Sequence, residues 1–231
     1  MSREEWLALA RYPRSEHPVL EAIFGDPMTR RAFEKPRGYA GDAVMMDYLH
    51  GIHSAGEAEA QASDLGRAIY RYIRNRPAGQ AVRFRRQHLA ALIDHLAARQ
   101  DQPSVLAIAA GHVREAELSR ALAAGRIGRF VALDADADSL REVETQYGQM
   151  GVTTVHGSVR RILARKIEVG TFDFVYATGT SSIATGTTWP GSSMASTRLK
   201  SSPVKSTPIR PARWCTYEYK RHSERLYAGQ A

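Results

Sequence analysis

The fold of this 231-residue chain is decided by the stretch VLAIAAGHVREAELS, residues 105–119. Its first five residues, Val105 to Ala109, form a short apolar run that is typical of a buried strand. Small residues follow through Gly111, and a helical pattern begins near Arg114. A strand, a small-residue turn and a helix in this order are typical of the first unit of a parallel α/β sheet.

The same alternation continues downstream. We predict further strands at residues 130–133, 152–155 and 172–176, and helices over Arg114–Ala124 and Asp138–Tyr147. Strands that alternate with helices of this length predict right-handed βαβ connections and a parallel sheet. We therefore expect an α/β, Rossmann-like domain over residues 101–179, with an incomplete sheet of about four strands.

The spacing of apolar residues predicts a helical N-terminal region over residues 1–100. We expect a helix capped by Asp64 that buries a face made of Leu65, Ile69, Tyr72 and Ile73. A second helix follows the break at residues 77–79, with buried positions from residue 82 to residue 96 and three arginines, Arg83, Arg85 and Arg86, at its start. These arginines indicate either a solvated basic face or a surface for a partner.

The segment KPRGYAGD, residues 35–42, differs from its helical surroundings. Two glycines around Tyr39, with a proline before them, predict a shaped loop, and Asp42 is placed to cap a helix that begins at Ala43. The loop is either a simple helix-entry turn or a segment that lays Tyr39 against a ligand.

Residues 180–231 predict an irregular tail, because Ser, Thr, Pro and Gly dominate its first part. The tail carries eight Lys and Arg against two Glu, so the formal charge of +8 leaves 24 basic and 22 acidic groups before it. A nearly neutral globular part argues against a nucleic-acid partner. We also expect no membrane span and no secretory signal, and the single cysteine, Cys215, fits a cytoplasmic location.

Candidate binding residues follow the predicted strands, because ligands bind at the carboxyl ends of parallel strands. Asp134 lies 23 residues beyond Gly111, near the spacing of about 20 residues expected for an acid that accepts from ribose hydroxyls. It either binds a ribose or caps a helix, and we expect Asp138 to cap the next one. Gly157 and Ser158 end the third strand beside an expected adenine, and Thr178 follows the fourth.

Other chemistries find little support. His50 and His53 could suggest a metal, but no cluster of Cys or carboxylates completes such a site, so we predict none. The sequence contains no GxSxG, HExxH or GxxxxGK[ST] motif. Cys215 lies in the predicted tail, where a catalytic thiol would lack a scaffold.

Taken in order, four segments resemble the class I S-adenosylmethionine-dependent methyltransferases: VLAIAAGHVREAELS, VALDADADSL, HGSVRRIL and FDFVYATG. Upstream, KPRGYAGDAVMMDYLHG and NRPAGQAVRFRR are similar to the helical part of a bacterial branch of that family. The branch includes enzymes similar to the extracellular-factor 3-hydroxypalmitate methyl ester synthases. The resemblance covers roughly residues 33–179 and implies S-adenosylmethionine as cofactor, with a small molecule, a carboxylate or a hydroxyl, as methyl acceptor.

The resemblance also implies roles for individual residues. Ala109 and Gly111 would line the methionine portion, Asp134 would hold the ribose, and Gly157 and Ser158 would flank the adenine. Three consecutive residues would lie by the sulfonium: Tyr176, Ala177 and Thr178. Tyr39 and Arg83 would contribute from the N-terminal region, and no catalytic residue is implied.

The chain also departs from the family pattern. Position 107, usually an acid, is alanine, and two of three usual glycines are Ala109 and Val113. Nothing after Gly179 supplies the remaining strands, so we predict a frame change or a truncated gene near that point. Two alternatives to an active methyltransferase follow: a non-catalytic remnant, and a dehydrogenase that uses NAD.

Overall fold

In the computed structural model, residues 2, 4 and 18–177 are described. The N-terminal helices are α1 Pro18–Phe24, α2 Pro27–Glu34, α3 Ala43–His50, α4 Ala55–Gln61, α5 Asp64–Asn75 and α6 Pro77–Ala97. After them come β1 Ser104–Ile108, a 3-10 helix Arg114–Leu118, α7 Arg120–Ala123, β2 Arg129–Asp134, α8 Ala137–Tyr147, a short 3-10 turn Gly148–Met150, β3 Val152–His156, α9 Val159–Leu163 and β4 Phe174–Ala177. By compactness the chain divides at Val82/Arg83, within α6, into a helical unit and a sheet unit.

The helical unit confirms the predicted start of α3. The Asp42 carboxylate accepts a hydrogen bond from the Met45 amide at 2.9 Å, as an N-cap does, and it also binds Arg31 at 2.7 Å. Asp42 is almost fully buried, so this bidentate partner compensates a charge that would otherwise be expensive to hide.

The predicted face of α5 is wrong in part. Leu65 and Tyr72 are exposed, whereas Gly66 and Tyr70 are buried. The reason is a close helix contact: a Cβ atom on Gly66 would lie 2.0 Å from the Gly25 carbonyl oxygen. A glycine used for close approach leaves no apolar signal in the sequence. The cap was also misplaced, because Ser63, and not Asp64, accepts from the Gly66 amide, at 3.1 Å.

The sheet unit confirms the predicted fold class. Its four strands are all parallel, in the order β3-β2-β1-β4. The chain therefore runs outward from β1 through β2 to β3 and then crosses back to place β4 on the other side of β1. This reversal makes the carboxyl ends of β1 and β4 the switch point, which is where ligands bind in open α/β sheets.

Apolar side chains pack on both faces of the sheet. One face is covered by α6, the first 3-10 helix, α7 and α8, and its core includes Ile93, Val105, Phe130 and Val143. The other face packs against α9 and the segment that follows it, around Leu106, Val131 and Leu133. Neighbouring residues of β1 thus point to opposite cores, as the two-residue period of a strand requires.

The predicted helix Arg114–Ala124 is broken in two. Ser119 takes an extended conformation (φ −77°, ψ 113°) and its hydroxyl accepts from the Leu122 amide, so α7 begins with its own cap. The Asp94 carboxylate of α6 fixes this break by accepting from the Ser119 hydroxyl at 2.7 Å and the Ala121 amide at 2.8 Å. The long-range partner explains why helical periodicity alone misses the break.

Two further expectations concern the whole chain. Among the described residues, none of the helices is both long and apolar enough to cross a membrane. The predicted tail, Cys215 and the predicted frame change all lie outside the described residues and stay predictions.

The junction between α6 and α7 yields a test of stability. Burial alone would raise the pKa of Asp94, but hydrogen bonds from Ala121, Ser119 and Arg120 outweigh it and lower that pKa. The carboxylate therefore stabilises the fold above its ordinary pKa of 3.8, and the contribution is lost as pH falls through the lower folded value. We expect Asp94→Ala to lower the free energy of unfolding by about 1–3 kcal/mol at neutral pH.

Denaturant unfolding of both proteins across the acidic range measures this effect. The difference between Asp94→Ala and the unsubstituted chain should shrink below about pH 3.8, and Asp101→Ala, at an exposed position, should show no comparable loss. A difference that stays constant down to low pH would contradict the assigned role of the charge.

Candidate functional site

The turn after β1 takes an unusual backbone conformation. Ala109, Gly111 and Val113, every second residue, have left-handed φ angles of 51°, 57° and 51°. Such angles favour glycine, and for a branched residue such as valine they are rare. The two departures from the usual glycine pattern therefore leave the backbone path of a glycine-rich turn in place.

Internal hydrogen bonds hold this turn against the sheet. The Gly111 amide donates to Asp134 Oδ2 at 2.8 Å, and the Ala110 amide donates to the Leu133 carbonyl at 3.1 Å. The Val113 amide donates to the Ala110 carbonyl at 3.2 Å. The turn is thus closed by its own amides and by the end of β2.

Asp134 stands at the centre of the site. Its second oxygen, Oδ1, accepts from the Asp136 amide at 2.8 Å, so each carboxylate oxygen holds one backbone N–H. A carboxylate has about four lone-pair positions, and about two therefore remain for a ligand. The prediction that Asp138 caps α8 is wrong: Asp136 is the N-cap and accepts from the Asp138 amide at 3.0 Å, because the helix begins one residue earlier than expected.

The 3-10 helix after the turn is fixed on the α8 side by the buried side chain of Arg114. Its guanidinium donates to Glu142 at 2.8 Å and to the Tyr147 hydroxyl at 3.0 Å. From α6, Arg86 donates to the Arg114 carbonyl at 2.8 Å and binds Glu117 at 2.5 Å. One of the three arginines expected to face solvent or a partner therefore forms internal contacts.

On the opposite side, Glu115 contacts β4. The Tyr176 hydroxyl donates to Glu115 Oε1, and both side chains are only 8% exposed. Burial raises the pKa of Glu115, and burial together with the Glu115 carboxylate raises the pKa of Tyr176 well above its ordinary range. Sequence reasoning missed this pair, because Glu115 looks like an ordinary residue of a helical first turn.

The remaining predicted residues of the sheet unit lie at the same edge. The Gly157 amide donates to the Asp134 carbonyl at 2.8 Å, and Ala177 pairs with Ile108, directly before the turn. Ser158 precedes α9, and its hydroxyl makes no capping hydrogen bond. Since the Tyr176 side chain enters the core, its backbone is the part that can line the edge. Thr178 lies outside the described residues.

Gly157 is also required by packing. A Cβ atom at this position would lie 2.2 Å from Ile167 Cδ1. The small residue after β3 thus has a structural explanation beside the predicted adenine contact.

Two predicted residues belong to the N-terminal part of the chain. Tyr39 lies in the loop before α3 and is 42% exposed, between Gly38 and Gly41, which both have left-handed φ angles. Arg83 lies near the start of α6 and is half-buried. Among the described residues, no group of three or more His, Cys, Asp or Glu side chains is placed to hold a metal ion.

The helical unit contains a cleft of about 520 Å³ that the sequence did not indicate. Glu21 and Glu34 line it together with Arg30 and Arg31, so its charges balance. Arg31 is already bound by Asp42, and Arg30 donates to the Phe24 carbonyl at 2.8 Å. Both arginines of the cleft therefore already have partners within the helical unit, and we place no site there.

No family model and no curated protein matches this sequence. Among solved structures, the chain is similar to a possible exported protein from Bordetella parapertussis, with 18% sequence identity and a TM-score of 0.47. The match covers 73% of this chain and 54% of that one, so the chain spans about half the length of that structure.

The left-handed turn can be tested at Ala109. Glycine tolerates its φ angle of 51°, and we expect Ala109→Gly to raise the free energy of unfolding by about 0.5–1 kcal/mol after the greater entropy of unfolded glycine is subtracted. Ala124, an exposed alanine with φ −88°, provides the control, and Ala124→Gly should lower the free energy of unfolding by about as much. Equal destabilisation by both changes would contradict the strained conformation.

Proposed function

We propose that the chain is a methyltransferase-like protein that binds S-adenosylmethionine at the carboxyl edge of its sheet. The observation that carries the proposal is the link between the Gly111 amide and Asp134 Oδ2, at 2.8 Å. It joins the left-handed turn after β1 to an acid at the end of β2, beside the switch point. This is the arrangement that a ligand with a ribose and a small polar tail requires.

The residues fit the cofactor in three places. Asp134 has lone pairs left for two ribose hydroxyls. The turn Ala109–Gly111 brings small side chains and close backbone to the position of the methionine portion. Gly157 and Ser158, after β3, would flank the adenine; the 2.8 Å hydrogen bond from the Gly157 amide to the Asp134 carbonyl, which joins the end of β3 to the end of β2, supports this assignment.

The same turn argues against NAD. A dinucleotide pyrophosphate needs free amides at the start of a helix. Here the amides of Ala110, Gly111 and Val113 all donate internally, and the helix that follows is a five-residue 3-10 helix. S-adenosylmethionine has no phosphate and does not need these donors. The dehydrogenase alternative is therefore disfavoured, whereas the non-catalytic remnant remains an outcome of the test.

The mechanism follows from positioning. When bound, S-adenosylmethionine would supply a methyl group for transfer to an oxygen nucleophile, and its neutral thioether would be the leaving group. The chain's part is to align that methyl group with a small carboxylate or hydroxyl acceptor at the β1–β4 switch point, where proximity supplies most of the rate. We assign no general base. The proposal includes a cytoplasmic location and a small molecule, with no nucleic acid, as partner.

Calorimetric titration of the full chain tests the assignment. We expect S-adenosylmethionine and its demethylated product to bind and NAD not to bind. Asp134→Ala should weaken the affinity for S-adenosylmethionine by about 1–3 kcal/mol, because charged hydrogen bonds to the ribose are lost. Asp138→Asn, at an exposed acid that pairs with Arg141 three positions along the chain, should leave the affinity unchanged.

The outcomes separate the alternatives. Binding of NAD alone would favour the dehydrogenase, and binding of none of the three would favour the remnant. If Asp134→Ala binds S-adenosylmethionine as tightly as the unsubstituted chain does, the ribose assignment is wrong.

A further inference from the structure

The pair of Glu115 and Tyr176 has a property that its neighbours lack. The other carboxylates around the 3-10 helix are neutralised by arginine: Glu117 by Arg86 at 2.5 Å and Glu142 by Arg114 at 2.8 Å. Within the described part of the chain, Glu115 has no cation within 4 Å. The hydrogen bond to its carboxyl group comes from the Tyr176 hydroxyl, which carries no charge. It is therefore a buried acid whose charge is not cancelled by an ion pair.

The groups that face Glu115 come from three elements. Arg85 and Arg86 of α6 attract its charge from beyond ion-pair distance, and Arg86 is already engaged by Glu117. Tyr176 of β4 donates its hydroxyl. On its own helix, Arg114 is engaged by Glu142. Ionised Glu115 thus leaves a negative charge in the region, offset from a distance by Arg85.

This charge lies beside the proposed site. Glu115 follows the left-handed turn by two residues, and Tyr176 precedes Ala177, the end of β4. Tyr176 also pairs in register with Ala107, and Ala177 pairs with Ile108, so the pair lies one residue below the edge at the switch point. In a protein interior, a unit charge acts on a charged ligand far more strongly than it would across the same distance in water.

We propose that Glu115, held by Tyr176, is a specificity-determining residue that favours the sulfonium cation of S-adenosylmethionine over the uncharged thioether of the demethylated product. The proposal rests on the proposed function, because it names what that site selects. Its consequence is that product leaves more readily than cofactor, and that this preference depends on the ionisation of Glu115.

The direction of the pH dependence follows from burial. Burial raises the pKa of Glu115, so the pair is uncharged at lower pH and carries a carboxylate at higher pH. Tyr176 keeps its proton throughout, since burial and the nearby carboxylate raise its pKa. The ratio of the affinity for S-adenosylmethionine to that for the product should therefore rise with pH. The same series on Glu115→Gln, which lacks the carboxylate, measures any change in the ratio that comes from titration of the ligands themselves.

Calorimetric titration of the full chain with both ligands, at several pH values from 4.5, the ordinary pKa of the group, up to the highest pH at which the chain stays folded, measures this ratio. Glu115→Gln keeps an acceptor for the Tyr176 hydroxyl and should lower the ratio by about tenfold at the upper pH and make it independent of pH. Tyr176→Phe removes a hydrogen bond that lowers the pKa of Glu115, so the rise of the affinity ratio should shift to higher pH. Glu144→Gln, the same change at an exposed acid of α8, should behave as the unsubstituted chain does.

Each result decides the question. An unchanged ratio in Glu115→Gln, or an equal loss of affinity for both ligands, would mean that the residue is only structural. If Glu115→Gln does not fold, as judged by thermal unfolding, the pH series on the unsubstituted chain and on Tyr176→Phe still decides, and a flat ratio overturns the proposal. If the unsubstituted chain binds neither ligand, the proposed function itself fails.

Discussion

The left-handed turn between β1 and the 3-10 helix is the constraint on which the rest of the sheet unit depends. Its conformation at Ala109, Gly111 and Val113 is unfavourable in isolation, by roughly 1–2 kcal/mol for each residue that is not glycine. The turn persists because three contacts fix it and the helix that follows it. Asp134 holds its centre, Arg114 fixes the following helix to α8, and Glu115 fixes that helix to β4.

These three contacts are not equivalent. The Asp134 contact lies at the edge of the sheet and leaves carboxylate lone pairs for a ligand. The Arg114 contact is buried: its guanidinium pairs with Glu142 at 2.8 Å and with Glu117 at 3.6 Å and donates to the Tyr147 hydroxyl, so its charge is neutralised within the fold. The Glu115 contact is buried without an ion pair, and burial raises the pKa of its carboxyl group. Two adjacent residues of one five-residue helix thus make different contacts: Arg114 forms ion pairs, and Glu115 forms a hydrogen bond without an ion pair.

The sequence predicted what depends on local periodicity. All four strands lie within two residues of their predicted bounds, because alternating apolar runs and short helices specify a parallel sheet. The α3 cap at Asp42 was found because the signal, an acid directly before an apolar run, is local. What failed depends on distant partners: the break at Ser119 requires Asp94, 25 residues earlier, and the buried face of α5 requires Gly25.

The candidate site shows the same division. Spacing alone was enough to single out Gly111 and Asp134, and the structure brings them to 2.8 Å of each other. Glu115 could not be singled out, because its environment comes from a strand 61 residues later in the chain. Charge counting was also misleading for Arg86, which forms internal contacts although it stands in a basic cluster.

The two residues that replace glycine in the turn are accommodated for different reasons. Val113 is almost fully buried in the main core, and burial of its side chain contributes about 1.5–3 kcal/mol, enough to offset its left-handed conformation. Ala109 is only half-buried, and a single methyl group gives little in return. Its strained conformation is instead stabilised by the hydrogen bonds that the next two amides, of Ala110 and Gly111, donate to the end of β2. Strained backbone clusters at functional sites in proteins, and Ala109 lies at the edge where we propose that the ligand binds.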